Sequence, residues 1–251
     1  MPSSWRLVDS GFVSPAESAA LDEAILAAHV EGLVPSTLHF YCRSKPTISV
    51  GYFQRVKESL DLEECRRRDL AIVRRRSGGS SIYTDTGQLI YGLVVREDEV
   101  PKERAESFRA ICGALAAALS SMGLDARYRP MNDIEVGGKK VSGNAQLRRK
   151  GSVLQHGTVI VEADPAAMDA VLRIDPSKSS GVGRPSDRVT SLSALMGERV
   201  SIEVVKELIV RQFEESFGIV FERGGLTEWE RTRVAQYVDE RYSRDDWNLK
   251  Y

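Results

Sequence analysis

Asn132-Asp133-Ile134-Glu135-Val136-Gly137-Gly138-Lys139-Lys140-Val141-Ser142-Gly143-Asn144-Ala145-Gln146 is the stretch of this chain that most constrains its fold. Two β-rich runs flank Gly137-Gly138, and a glycine pair closes a hairpin readily because glycine takes positive φ without steric cost. A third run, Ser152 to Glu162, follows across Lys150-Gly151, so the region reads as a three-stranded antiparallel meander. Alternation along the middle strand puts Lys140, Ser142 and Asn144 on one face and Lys139 and Val141 on the other, so one lysine of the pair enters any site there. Gly143 gives that strand a point of close approach for a ligand or another backbone.

Outward from the meander, Ser14-Pro15-Ala16-Glu17 is a helix start, with Leu21, Ala24, Ile25 and Ala28 recurring on one face. Thr37 to Arg43 and Thr47 to Phe53, split by Ser44-Lys45-Pro46, predict a hairpin, and Glu58 to Arg68 predicts a charged helix. Leu70 to Arg75 reads as a strand running into a Gly/Ser loop, Gln88 to Val95 as another strand, and Glu103 to Ser121 as a long helix. Beyond the meander come a short helix near Ala166 to Leu172, a Ser/Gly loop at Ser177–Ser186, a helix over Ile202 to Phe217, a short strand and a helix from Thr227. No internal repeat is present. The order is mixed α+β, not strict βαβ alternation, and 251 residues suffice for a single domain.

Composition narrows the function classes. Hydrophobic residues at 42% and charged residues at 28% are the balance of a globular protein. With 35 basic against 36 acidic residues, no global field gathers nucleic acid or an anionic membrane, so anion binding has to be local. The N-terminus lacks an export signal, and the apolar run Ile111 to Leu119 is well short of the roughly 18 to 20 residues of a membrane span, which predicts a cytoplasmic protein. Cys42, Cys65 and Cys112 are odd in number and form no CxxC pair, against a disulfide framework or zinc site; Cys65 and Cys112 read as helix packing residues.

Two constellations could carry chemistry. Arg74-Arg75-Arg76-Ser77-Gly78-Gly79-Ser80-Ser81 couples guanidinium groups to a loop whose backbone N–H groups approach an anion closely, which suits phosphate or carboxylate. It is neither a P-loop nor a dinucleotide fingerprint. The other comprises Asn132-Asp133, Lys140, Ser142-Gly143-Asn144-Ala145-Gln146 and His156-Gly157-Thr158 on the meander. Lys140 supplies positive charge where a transition state gathers negative charge, and Asp133 is an oxygen ligand for a cation. Taken singly, a lysine beside Gly-Gly is most simply a solvated charge, and His156 in an apolar run a satisfied core histidine.

Jointly these motifs resemble the biotin/lipoate protein ligase family, over nearly the whole chain. Leu21-Asp22-Glu23-Ala24, Phe40-Tyr41, Val50-Gly51-Tyr52-Phe53-Gln54, Tyr242-Ser243 and Trp247-Asn248 are similar to the lipoate branch. The resemblance implies an α+β catalytic domain of the class II biotin/lipoate ligase type, with mixed β-sheets flanked by helices and no accessory C-terminal domain in residues 1–251.

It also implies an ATP-dependent lipoate–protein ligase that makes lipoyl-AMP and passes the lipoyl group to a lysine of an acceptor protein. Lys140 would contact the lipoyl carboxylate and the phosphate. Arg75, Gly78, Gly79, Ser80, Ser81, Ile82 and Tyr83 would line the pocket for ATP and lipoyl-AMP, together with Asn132, Ser142, Gly143 and Ala145. Asp133 would lie at Mg2+, His156 and Gly157 would close one wall, and Arg188 would belong to a flap over the adenylate. Ser80 stands where the family's third glycine is usual, and Thr84 where its histidine is usual. The partners implied are lipoyl-domain proteins, such as 2-oxoacid dehydrogenase acyltransferase subunits or the glycine cleavage H protein, and a separate small accessory subunit.

The alternative within the superfamily is an octanoyl or lipoyl transferase, which needs no ATP and forms a thioester on a cysteine. The family's nucleophile positions fall where this chain has Arg127 to Asp133, or Pro176-Ser177, neither with a cysteine. That contrast favours the ligase. A third reading is a relative that keeps the pocket without chemistry.

Overall fold

The computed structural model describes residues 3–173 and 183–251; Met1, Pro2, Pro176-Ser177 and most of the loop expected at Ser177–Ser186 lie outside the described residues. In chain order its elements are β1 (Ser3–Val13), α1 (Pro15–Val30), β2 (Thr37–Arg43), β3 (Thr47–Val50), α2 (Val56–Ser59), α3 (Leu62–Arg67), β4 (Ala71–Arg74), β5 (Ile82–Thr84), β6 (Gln88–Arg96) and α4 (Arg104–Ser120). There follow β7 (Ala126–Arg129), β8 (Asp133–Val136), β9 (Lys139–Arg149), β10 (Ser152–Ile160), α5 (Pro165–Val171), α6 (Leu192–Met196), α7 (Ile202–Phe217), β11 (Ile219–Gly224), α8 (Glu228–Tyr237) and α9 (Asp245–Asn248).

The strands form a mixed eight-stranded sheet in the order β11-β1-β2-β6-β10-β9-β8-β7 and a small sheet in the order β4-β3-β5. Layering explains why β6 is apolar almost throughout: both faces are covered. On one face Phe108, Ile111, Leu115 and Leu119 of α4, with Val205, Ile209 and Phe213 of α7, pack on Leu89, Tyr91, Leu93 and Val95. On the other, Ile25 and Leu26 of α1 meet Val94 and Leu154. Helix α1 begins as its sequence predicts, with Ser14 and Glu17 forming a capping box. The mixed α+β fold expected from the sequence is the one observed.

The meander is present as β8-β9-β10, all antiparallel. Gly137 and Gly138 turn with φ of 58° and 77°, the left-handed values that favour glycine. The hairpin expected from Thr37 to Phe53 is not formed. Every residue of β2 is buried and the strand already pairs with β1 and β6, so it has no free edge for β3. The chain instead leaves the large sheet at Ser44-Lys45-Pro46, and β3 becomes the centre of the small sheet, parallel to β4 and antiparallel to β5. The single helix expected over Glu58 to Arg68 is two, because Leu60 is extended and Asp61 caps a new helix through Glu64 N. No helix among the described residues is long and apolar enough to cross a membrane.

Candidate active site on the meander

A register shift in β9 decides which lysine faces the site. Lys140 pairs with Glu135 and Ser142 with Ile134, so Val141 is an extra residue, and it turns into the main core. Lys140 therefore shares a face with Gly143, whereas simple alternation put it with Ser142 and Asn144. Its Cε lies 2.5 Å from where a Cβ on Gly143 would be. Its Nζ is 2.7 Å from Asp133 Oδ1, both side chains about one quarter exposed at 27% and 24%. Lys139 is exposed. Thr190 N donates to Lys140 O at 2.9 Å, bringing the segment after the turn Pro185–Arg188 alongside the lysine; Arg188 itself is exposed.

Ser142 and Asn144 lie on the opposite face. Ser142 is fully buried and accepts from Asn144 Nδ2 at 3.3 Å, while Tyr91 OH donates to Asn144 Oδ1 at 2.6 Å. Asn144 Nδ2 also reaches Asn132 O at 2.9 Å, so Asn132 ties the turn before β8 to β9. Gly157 is part of this buried network: a Cβ there would be 2.8 Å from Tyr91 Cε1.

On the open face stand Gly143, Ala145, His156 and Thr158, all partly exposed, with Ala145 paired to His156 and Gly143 to Thr158. The Gly/Ser loop lies against this face. Ser77 Oγ is 2.6 Å from His156 Nε2, and His156 Nδ1 is 2.6 Å from Asp22 Oδ2 on α1. Tyr41 OH donates to the same carboxylate oxygen at 3.1 Å, and burial together with that neighbouring charge pushes the phenol well above its ordinary pKa. Neither Ser77 nor Asp22 was singled out for a role from the sequence. The signal for Asp22 was there: a carboxylate beside Leu21 and Ala24 in a helix whose other face is covered.

Arg75 does not point outward as a free anion ligand. It donates to Ser49 O, Gly78 O and Ser80 O, each at 2.8 Å, and so shapes the loop; burial lowers its pKa to about 10. Gly79 has φ of 100°, and a Cβ on it would be 2.8 Å from Arg75 Nη2. Ser80 is exposed, and Ser81 N and Oγ donate to Gln54 Oε1 at 3.1 and 3.2 Å. Ile82 pairs with Ser49, and Tyr83 is buried in the core of the small sheet. Arg74, grouped in the sequence with the arginines that would meet an anion, is instead fully buried and donates to Gly51 O, Tyr52 O and Gln54 O at 3.0, 3.1 and 2.9 Å, while its own N–H donates to Asn248 Oδ1 at 3.0 Å. It joins the chain end to the loop after β3.

The sequence model of the lipoyl protein ligase A/B catalytic domain matches residues 14–214. Octanoyltransferases named LipM from Geobacillus kaustophilus and Moorella thermoacetica are 33% and 35% identical, each over 97 to 98% of both chains. A crystal structure of lipoate-protein ligase A bound with ATP superposes with a TM-score of 0.86 at 30% identity, covering 99% of both chains. A bi-partite lipoate protein ligase from Thermoplasma acidophilum, described with its E2 lipoyl domain, gives 0.85 at 28% identity, covering 98% of this chain and 96% of that one.

The full-length octanoyltransferase relatives overturn the expectation of an ATP-dependent ligase, and with it lipoyl-AMP as intermediate and ATP and Mg2+ as cofactors. Asp133, the expected Mg2+ ligand, directs Oδ1 at Lys140 Nζ, 2.7 Å away. Cysteine-free segments had favoured the ligase because a transferase was equated with a cysteine nucleophile. By its sequence match and its fold, this chain belongs to the lipoyl protein ligase A/B catalytic domain family.

Proposed function

We propose that residues 1–251 act as one catalytic domain of the octanoyltransferase type. It takes a medium-chain acyl group from an activated thioester and places it on the ε-amine of a lysine in a lipoyl-domain protein. The observation that carries this reading is Lys140, whose ammonium is held by Asp133 at 2.7 Å above the bare backbone of Gly143 on the partly open face. The similarity to octanoyltransferases supports the acyl group and an already activated donor.

Acyl transfer passes through a tetrahedral oxyanion, and a fixed cation beside it lowers the barrier more than it stabilises the neutral thioester. Lys140 fills that role and donates to the acyl oxygen. Gly143 and Ala145 floor the acyl site, His156 flanks it with the Gly/Ser loop, and Arg75 keeps that loop in place from below. For the acceptor, the E2 lipoyl domain described with the Thermoplasma relative supports a lipoyl domain of an acyltransferase subunit, with the glycine cleavage H protein in the same class.

The test supplies a lipoyl domain with either an octanoyl thioester or free octanoate plus ATP and magnesium, and weighs the acceptor by mass spectrometry. Octanoylation from the thioester without nucleotide is expected. Acceptor modification and pyrophosphate release with the free acid alone, and none from the thioester, would sink the reading.

A further inference from the structure

An acyltransferase either brings donor and acceptor together at once or parks the acyl group on the enzyme. The three cysteines offer no parking place. Cys42, Cys65 and Cys112 are at most 2% exposed, and burial pushes the Cys42 and Cys112 thiols up to about 11 and about 12. Cys112 lies within the core under α4 and takes a hydrogen bond from Gln155 Nε2 at 3.4 Å, on the face away from Lys140.

The open face carries a different nucleophile. We propose that Ser77, His156 and Asp22 form the acyl-transfer relay of this site, with Ser77 Oγ holding the acyl group as an ester between donor and acceptor. The inference rests on the acyltransferase reading above.

The hydrogen-bond chemistry allows one neutral-state assignment. The Asp22 carboxylate only accepts, so His156 Nδ1–H donates to it at 2.6 Å, which leaves Nε2 as an acceptor facing the Ser77 hydroxyl at 2.6 Å. This is the arrangement that activates a serine: base in line with the hydroxyl, carboxylate fixing the tautomer behind it. The three groups come from α1, β10 and the loop after β4, so none is placed by its neighbour in sequence. Ser77 is 2% exposed, and its successor Gly78 is partly exposed, with nothing within 4 Å of where a Cβ would be. His156 and Thr158 lie opposite Ala145 and Gly143, so the Lys140 ammonium stands on the same face as the imidazole, one residue pair along the ladder.

In the first half-reaction Ser77 Oγ attacks the thioester carbonyl and its proton passes to His156 Nε2. The tetrahedral adduct collapses with cleavage of the C–S bond, and the departing thiolate takes that proton, leaving acyl-Ser77. In the second, the neutral acceptor amine attacks the ester and loses a proton to His156 Nε2. The C–O bond breaks and Ser77 Oγ is reprotonated by His156. Asp22 is a positioning residue throughout.

The experiment incubates the full chain with octanoyl-coenzyme A without acceptor, then quenches in acid and maps the adduct by peptide mass spectrometry. One octanoyl group on Ser77 is expected, resistant to neutral hydroxylamine as an ester is. Ser77→Ala should lose the adduct and slow transfer to a lipoyl domain by about a thousandfold or more. Ser77→Cys should move the adduct to a hydroxylamine-labile thioester at the same position, which keeps the test decisive if the alanine variant does not fold. Asp22→Asn should slow formation of the adduct without changing its site and remove the downfield NMR signal of the His156 Nδ1 proton. No ester on Ser77, an adduct on any cysteine of the wild type, or undiminished transfer by Ser77→Ala overturns the relay while leaving the acyltransferase reading in place. A wild type that transfers nothing from the thioester overturns that reading itself.

Discussion

The end of the Lys140 side chain occupies the space that a Cβ on Gly143 would need, with Cε 2.5 Å from that point and Asp133 Oδ1 3.6 Å from it. One missing methyl group three residues away thus sets where the ammonium stands. Gly143→Ala should push the flexible lysine aside without straining the backbone, since Gly143 has no positive φ. Octanoyl transfer should fall by about 10- to 100-fold, equivalent to about 1.4 to 3 kcal/mol, with the melting temperature nearly unchanged. Steady-state rates and thermal unfolding of the purified variant check both halves.

Lys140→Ala removes the charge outright. Loss of one preorganised group at a developing oxyanion costs about 100- to 1,000-fold in rate. The stability effect should be under about 1 kcal/mol, because the Lys140–Asp133 pair is part-exposed and screened by solvent. Comparing kcat with the denaturation midpoint separates the two; a variant that transfers at the wild-type rate would remove Lys140 from the mechanism.

Arg74→Ala should do the reverse. Its guanidinium donates to the carbonyls of Gly51, Tyr52 and Gln54 from a fully buried position; its removal takes that donor from all three, and Gly51 O alone keeps another, the Gln54 N–H at 3.0 Å. A loss of about 3 kcal/mol or more in denaturant unfolding is expected, since each buried carbonyl left unsatisfied costs about 1 to 3 kcal/mol. Limited proteolysis should then cut near Tyr52 or within the segment after Tyr242.

His39 gives the protein an acid-sensitive step. Fully buried, with Nε2 2.9 Å from Ser10 Oγ and no partner for Nδ1, it has its pKa lowered to about 4 by desolvation. The folded state binds the proton more weakly than the unfolded chain, so this contribution is intact above pH 6.5 and is lost as pH falls towards 4. The span of about 2.5 pK units corresponds to about 3 kcal/mol. His29, also lowered by burial, acts in the same direction. The unfolding free energy of His39→Gln, measured across that window, should fall less steeply than that of the wild type; equal slopes would exclude His39 as the source.

Much of the fold was legible because the signals were local. The Ser14 capping box, the Gly137-Gly138 turn and the helix over Ile202 to Phe217 each follow from residues within a few positions of one another, and each is where the sequence put it. The hairpin failed for the opposite reason. Whether β2 pairs with β3 depends on β1 and β6 having already taken both edges of β2, and neither strand is near Pro46 in sequence. At the candidate site, alternation put Lys140 with Ser142 and Asn144, while a bulge at Val141 moved Lys140 to the side of Gly143. The chemistry was assigned to ATP because no cysteine stood at an expected position, whereas the full-length curated relatives reported above are octanoyltransferases.

By itself the sequence determined the family and the antiparallel meander, which rest on short-range patterns of turn, period and motif. Only the tertiary structure decided which side chains meet on the open face of the meander. Asp22, Ser77 and His156 are separated by 55 and 79 positions, and they meet because α1 and the loop after β4 both pack against the open face of β10. A hydrogen bond formed across such separations is set by how layers stack, and no local propensity records it.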